Sequence, residues 1–151
     1  MNAVMGWDPG IDGGVSVLAG DGRVLYAHPL REGMSEDEVI AIVKEAVTVL
    51  LKAGGWECYM EKVHFVKGDG GKGSFTFGGI YKLVRGALKM GGIRIYDVPP
   101  QLWQAKLECL TGGDKNVSKR RAIELFPGIK ITHAIADALL IALYGRLMER
   151  A

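Results

Sequence analysis

Three acidic side chains stand where chemistry could be done. Asp8 closes an apolar run, 3–8, and is followed by Pro9, Gly10, Gly13 and Gly14. Glu61 closes a second apolar run, 56–61. Asp137 lies four residues after His133, at the opening of a long apolar stretch, and residues four apart share one helix face. Carboxylates that converge repel one another unless a cation lies between them. Hard cations such as Mg²⁺ or Mn²⁺ take oxygen ligands and keep water positions open. Two such ions can activate a water and stabilise the leaving oxygen of a phosphodiester. Basic side chains near the acids would hold the polyanion. Lys62, Lys67 and Lys72 follow Glu61, and Lys115, Lys119, Arg120 and Arg121 form a second cluster. The set reads as metal-dependent nucleic-acid cleavage.

Each feature has a plainer reading when taken singly. Asp8 at a Gly-rich turn fits a solvated hairpin acid as well as one that a backbone or a phosphate approaches. Asp137 could simply favour the positive end of its helix, and His133 could be a cap or a packed polar group. Glu61 could pair with Lys62 or Lys67 at a surface. Residues 67–73, Lys-Gly-Asp-Gly-Gly-Lys-Gly, resemble a phosphate loop, but Gly73 separates Lys72 from Ser74, so the Gly-Lys-Ser/Thr run is missing. A basic loop at a substrate edge and a plain solvated loop both fit it. What favours the joint reading is that all these groups sit at the ends of elements.

Those elements follow from turn residues and periodicity. Strands are expected at 3–8, 13–19 and 22–28, with Asp21-Gly22 as a hairpin signal, so the chain opens as an antiparallel meander. Ser35-Glu36-Asp37-Glu38 is a capping box. It opens a helix with Val39, Val43, Ala46, Val47 and Leu50 on one face, ended by Gly54-Gly55. Residues 56–61 form a fourth strand. After one long helix it should lie parallel to the first by a right-handed crossover, which brings Glu61 beside Asp8. A helix is expected over 74–90, with Ile80, Leu83, Val84, Ala87 and Leu88 inward. Its Gly78, Gly79 and Gly86 cost about 1 kcal/mol each against alanine and would permit close approach of the sheet, a partner subunit or DNA. A strand at 93–98 stops at Pro99-Pro100. A short helix at 102–110, a polar loop at 111–116 and a basic helix at 117–126 follow. A last helix runs from Thr132 to about 149, with Ile135, Leu139, Leu140, Leu143 and Leu147 apolar. This order predicts an α/β fold, a mixed sheet with helices on its faces.

Composition is permissive. A chain of 151 residues, 48% hydrophobic, fits one domain over 1–151 with a real core. No apolar run approaches the ~20 residues that span a bilayer, and residues 1–20 lack the basic start of a signal peptide, so a cytoplasmic protein is expected. Cys58 and Cys109 match no metal spacing and suit a reducing compartment as small apolar residues. A net charge of +2 does not by itself announce nucleic acid.

With these segments in place, the chain resembles the RuvC-type Holliday junction resolvases of phage and bacteria, within the RNase H-like nuclease superfamily, over nearly its full length. The likeness rests on Gly6-Trp7-Asp8-Pro9-Gly10, Met60-Glu61-Lys62-Val63 and His133-Ala134-Ile135-Ala136-Asp137-Ala138-Leu139-Leu140. Residues 74–86 and Val98-Pro99-Pro100-Gln101-Leu102-Trp103 are also similar to such members. The resemblance implies an RNase H-like fold: a central mixed five-stranded sheet with helices on both faces. It implies a homodimer that grips a four-way DNA junction and nicks two equivalent strands, leaving a 5′-phosphate and a 3′-hydroxyl. It implies Mg²⁺ or Mn²⁺, two ions per site, on Asp8, Glu61 and Asp137. The family carries an Asp or His three residues before the last acid. Here that position is Ala134, and His133, one residue and ~100° of helix away, is the candidate fourth ligand or proton-transfer group. Lys115 matches a family lysine near the scissile phosphate. A second has no clean match, Gln104 standing in its place with Lys106 nearby. Phe65 stands where members can carry an aromatic that stacks on an unpaired base; a core Phe fits equally. The DNA-binding set is then Phe65, Lys67, Lys72, Lys115, Lys119 and Arg120. Alternatives are a nuclease of the same fold acting on flaps, single strands or hybrids, a junction-binding protein weakened in catalysis, and a sugar-kinase or actin-like ATPase, for which 151 residues leave no room for a second lobe.

Overall fold

The chain folds as β1 (Val4–Asp8), β2 (Gly14–Leu18), β3 (Val24–Pro29), α1 (Glu36–Lys52), β4 (Glu57–Glu61), α2 (Gly71–Met90), β5 (Arg94–Val98), α3 (Pro100–Lys106), α4 (Lys115–Leu125) and α5 (His133–Met148). This is a computed structural model, and it describes residues 2–10, 12–63 and 71–148. β1, β2 and β3 form the expected antiparallel meander. Gly22, with φ +93°, takes the left-handed turn between β2 and β3, a conformation that costs glycine little. Ser35 caps α1: its Oγ accepts from the Glu38 N–H at 3.1 Å, and the Glu38 carboxylate accepts from the Ser35 N–H at 3.4 Å. α1 carries the chain back so that β4 pairs parallel with β1, and β5 pairs parallel with β4. The sheet order is β3-β2-β1-β4-β5.

Alternation along β1 divides the interior in two. Met5 and Trp7 join Val39, Val43, Ala46 and Leu50 of α1 and Val84 and Leu88 of α2. Val4 joins Trp103, Ala122, Ile135, Leu139 and Ala142 on the other face, with α3, α4 and α5. Helices therefore cover both faces. Cys58 and Cys109 are buried thiols, and burial raises the Cys109 pKa to about 11.

Two glycines set how closely α5 lies on the sheet. A Cβ at Gly6 would collide with the Ala138 carbonyl and the Ala142 backbone, and one at Gly14 with the Ala134 carbonyl. Ala134, Ala138 and Ala142 recur every four residues, so a stripe of methyl groups on α5 meets the bare backbone of β1 and β2. The buried Ser16 hydroxyl donates to the Ala138 carbonyl at 2.8 Å and fixes the register of helix on strand.

Several boundaries differ from the sequence expectation. α2 begins at Gly71, not at Ser74, so 71–73 of the expected loop are helical. Glycines disfavour a helix there by propensity, so sequence alone does not signal this start. Gly78, Gly79 and Gly86 have no neighbour within 4 Å of an added Cβ, so they do not serve close approach to the sheet. α3 spans Pro100–Lys106 and not 102–110. Pro100 sits in its first turn, where the missing N–H costs nothing, and Glu108, with φ +59°, bends the chain away after it. α4 starts at Lys115 because Asp114 caps it, accepting from the Asn116 N–H at 2.9 Å. Leu147, one of the apolar positions of α5, is 49% exposed. Among the described residues no helix is long and apolar enough to cross a membrane.

If the bare face of β1 is what admits α5, Gly6→Ala should lose about 1–3 kcal/mol of stability, read from urea unfolding. Gly86→Ala, on the open side of α2, should be neutral or gain up to about 1 kcal/mol. Equal stability of Gly6→Ala and the parent protein would contradict the packing described.

Candidate active site

The parallel pairing of β1 and β4 sets Trp7 opposite Met60, so the next residues, Asp8 and Glu61, leave the sheet side by side at one edge. Both point to the face covered by α5, since they follow the alternation of Val4 and Gly6 in one strand and of Tyr59 in the other. α5 begins at that edge and delivers Asp137. A cleft of about 440 Å³ is lined by Asp8, Glu61 and Asp137 together with Lys115, Ser118 and Gln104. Acids 53 and 76 positions apart in sequence thus share one cavity (61 − 8; 137 − 61).

The electrostatics are those of carboxylates crowded without compensation. The Asp8 pKa is raised to about 6, first by burial and then by the charge of Asp137, against the Gly10 N–H and Lys115. Glu61 is raised to about 7 by burial and by Asp8 and Asp137, against Trp103 and Lys115. Burial raises Asp137 as well, while Ser118, Lys115 and His133 pull it down. One buried Asp137 oxygen, Oδ1, has no hydrogen-bond partner among the described residues. Among them, too, no group of three His, Cys, Asp or Glu side chains is drawn in tightly enough to hold an ion as it stands.

Neighbours hold each acid. The Gly10 N–H donates to Asp8 Oδ1 at 3.2 Å, so the Gly-rich turn closes on Asp8, which is not the solvated hairpin acid of the plainer reading. The buried Trp103 of α3 donates its Nε1–H to Glu61 Oε1 at 3.3 Å, and no lysine among the described residues forms an ion pair with Glu61. Ser118 of α4 is buried; its hydroxyl donates to the Lys115 carbonyl at 3.2 Å and also borders Asp137. Gln104 accepts from the Thr111 N–H at 3.4 Å.

The remaining predicted residues are less closely gathered. His133, first in α5, is exposed and does not line the cleft, although its charge acts on Asp137. Lys119 and Arg120 lie on α4 outside the cleft lining. Lys72 falls in the first turn of α2. Phe65 and Lys67, and the side chain of Lys72, lie outside the described residues. Trp103, Ser118, Thr111 and Asp12 border or orient the site and were not singled out by residue type. Ser118 had one signal: it falls three residues after Lys115, on the same helix face.

No protein-family model matches the chain, and no curated protein sequence matches it. Among solved structures it is similar to T. thermophilus RuvC in complex with a Holliday junction substrate, at 20% identity and a TM-score of 0.72, over 95% of this chain and 92% of that one. A second structure, of Thermus thermophilus RuvC, aligns at 21% identity and a TM-score of 0.70, over 94% and 92%. Likeness at this identity establishes the fold: it is RNase H-like, as the resemblance in sequence implied.

The raised pKa values predict an unusual pH profile for the metal-free protein. Asp8 and Glu61 hold their protons more tightly folded than unfolded, so their contribution to stability is full below about 4 and is lost as pH rises through about 6 to 7. Melting temperature in EDTA should therefore fall from pH 4.5 to 8, and Glu61→Gln should flatten that fall. A melting temperature that climbs over this range in the parent protein would contradict the crowding of the acids.

Proposed function

We propose that a protein of this fold, with Asp8, Glu61 and Asp137 in one cleft beside Lys115, is a divalent-metal-dependent endonuclease that resolves four-way DNA junctions. The observation that carries the reading is the shared cleft itself. Three acids from β1, β4 and α5 face one another, with a lysine at the rim and basic residues beyond it. The donor set fits hard cations: all three are carboxylates, two are pushed up to about 6 and 7, and Asp137 keeps a buried oxygen unpartnered. A cation would relieve both the repulsion and the orphaned oxygen. Mg²⁺ or Mn²⁺, two per site, would supply there an activated water and a stabilised leaving oxygen.

The chain's own groups then have distinct tasks. The Gly10 N–H and the Trp103 indole orient Asp8 and Glu61, and Ser118 borders Asp137. Lys115 holds the phosphate to be cut, while Lys119 and Arg120 on the same helix hold its neighbours along the strand. His133, whose charge acts on Asp137 from outside the cleft lining, is the proposed fourth ligand or proton-transfer group. Phe65, Lys67 and Lys72 are further proposed DNA contacts. Two copies acting on equivalent strands would leave 5′-phosphate and 3′-hydroxyl ends that can be rejoined.

Purified protein should nick a four-way junction in Mg²⁺ or Mn²⁺ and act far more slowly on a flap or a linear duplex. Asp8→Asn should keep junction binding and lose at least about 100-fold in single-turnover rate. Cutting by Asp8→Asn at the parent rate would remove the cleft from the chemistry. A preference for flaps would move the assignment to another nuclease of this fold.

A further inference from the structure

The basic cluster on α4 is not uniform. Arg120 is exposed, whereas the Arg121 side chain is only 28% exposed and has partners on several sides. Its Nε–H donates to the Leu107 carbonyl at 2.7 Å. One Nη donates to the Glu124 carboxylate at 3.0 Å, and the other stands 3.9 Å from the Glu108 carboxylate. Leu107 is the C-cap of α3 and is buried. A helix-end carbonyl in that setting needs a partner within the protein. The turn that presents it is closed by two bonds. The Glu108 N–H donates to the Ala105 carbonyl at 3.2 Å, and the Cys109 N–H donates to the Gln104 carbonyl at 2.8 Å. This is a Schellman cap with Glu108, at φ +59°, where glycine is usual. Among the described residues Glu108 is the one non-glycine at positive φ. Such strain persists where the structure on both sides fixes the backbone, here the buried Leu107 and Cys109.

α3 has seven residues and no side-chain cap at its start, so it is too short to hold its place unaided. Its place matters because Trp103 donates to Glu61 at 3.3 Å. Ser118, three residues before Arg121 and on the same face of α4, borders Asp137. We propose that Arg121 is a positioning residue. Its Nε–H ties α4 to the end of α3, so that Trp103 on Glu61 and Ser118 on Asp137 form one frame that fixes the gap between the two acids. The guanidinium is thereby committed to the protein and is not a further DNA contact beside Lys119 and Arg120. The consequence for ion binding rests on the nuclease reading above; the tie between the helices does not.

The donor atom makes the idea testable. Glutamine carries its amide nitrogen as many bonds from the backbone as arginine carries Nε, so Arg121→Gln keeps a donor for the Leu107 carbonyl and loses the charge. Arg121→Met keeps the length and loses both. In EDTA, the indole N–H signal of Trp103, identified by its loss in Trp103→Phe, should shift and exchange faster in Arg121→Met. It should return to the parent position in Arg121→Gln and stay there in Glu124→Ala, which removes only an exposed ion pair. Mn²⁺ binding, followed by the paramagnetic resonance of the free ion, should weaken about tenfold or more in Arg121→Met and recover in Arg121→Gln. The salt dependence of junction binding in Ca²⁺ should be the same in all of them. A parent-like indole signal in Arg121→Met, or Arg121→Gln no better than Arg121→Met, would overturn the proposal. So would a salt slope reduced by about one in Arg121→Gln, the mark of a lost phosphate contact. A parent protein that binds no Mn²⁺ while its indole follows Arg121 keeps the frame and removes the nuclease reading. Mn²⁺ binding with an indole indifferent to Arg121 removes the frame alone.

Discussion

The close seating of α5 on β1 and β2 is the constraint on which the site depends. Glycine at 6 and 14 leaves no side chain on the strand side, and the alanine stripe of α5 presents nothing larger than a methyl group. The helix axis is therefore drawn to the sheet at the end where β1 and β4 stop. Asp137, next to Ala138 in that stripe, has no freedom to stand elsewhere. The Ser16 hydroxyl on the Ala138 carbonyl prevents the helix from sliding by a turn. A larger residue at either glycine would lift α5 and carry Asp137 away from Asp8.

That seating has an electrostatic consequence. Three acids are forced together in a cleft where burial alone already opposes their ionisation. Among the described residues, Lys115, a few backbone and side-chain donors and the more distant His133 answer them. Natural folds keep such unrelieved crowding where a ligand will later supply the missing charge. The fold is locally frustrated at this edge of the sheet and consistent elsewhere, as expected where function competes with stability.

Much of this was legible before any coordinates. Asp8 and Glu61 could be placed together because each ends an apolar strand, and because one helix between parallel strands aligns their ends. The capping box at Ser35 and the glycine stop at Gly54 were readable because caps depend on local chemistry. The start of α2 was not, since Gly71 and Gly73 carry low helix propensity. Nor were the ends of α3, where two prolines both stop a strand and start a helix. The roles of Trp103 at Glu61 and of Ser118 at Asp137 were hidden for another reason. Both residue types are ordinary, and only the packing of α3 and α4 against the sheet and α5 turns an indole toward Glu61 and a hydroxyl toward Asp137.

The central claim is that Asp8, Glu61 and Asp137 form one receptor for divalent ions. Anomalous scattering from a crystal soaked in Mn²⁺ tests it most directly. The account predicts peaks in the cleft within bonding distance of oxygens from all three side chains, with the Asp137 oxygen that now lacks a partner among the ligands. A soaked crystal with manganese bound elsewhere and these carboxylates turned apart would contradict it.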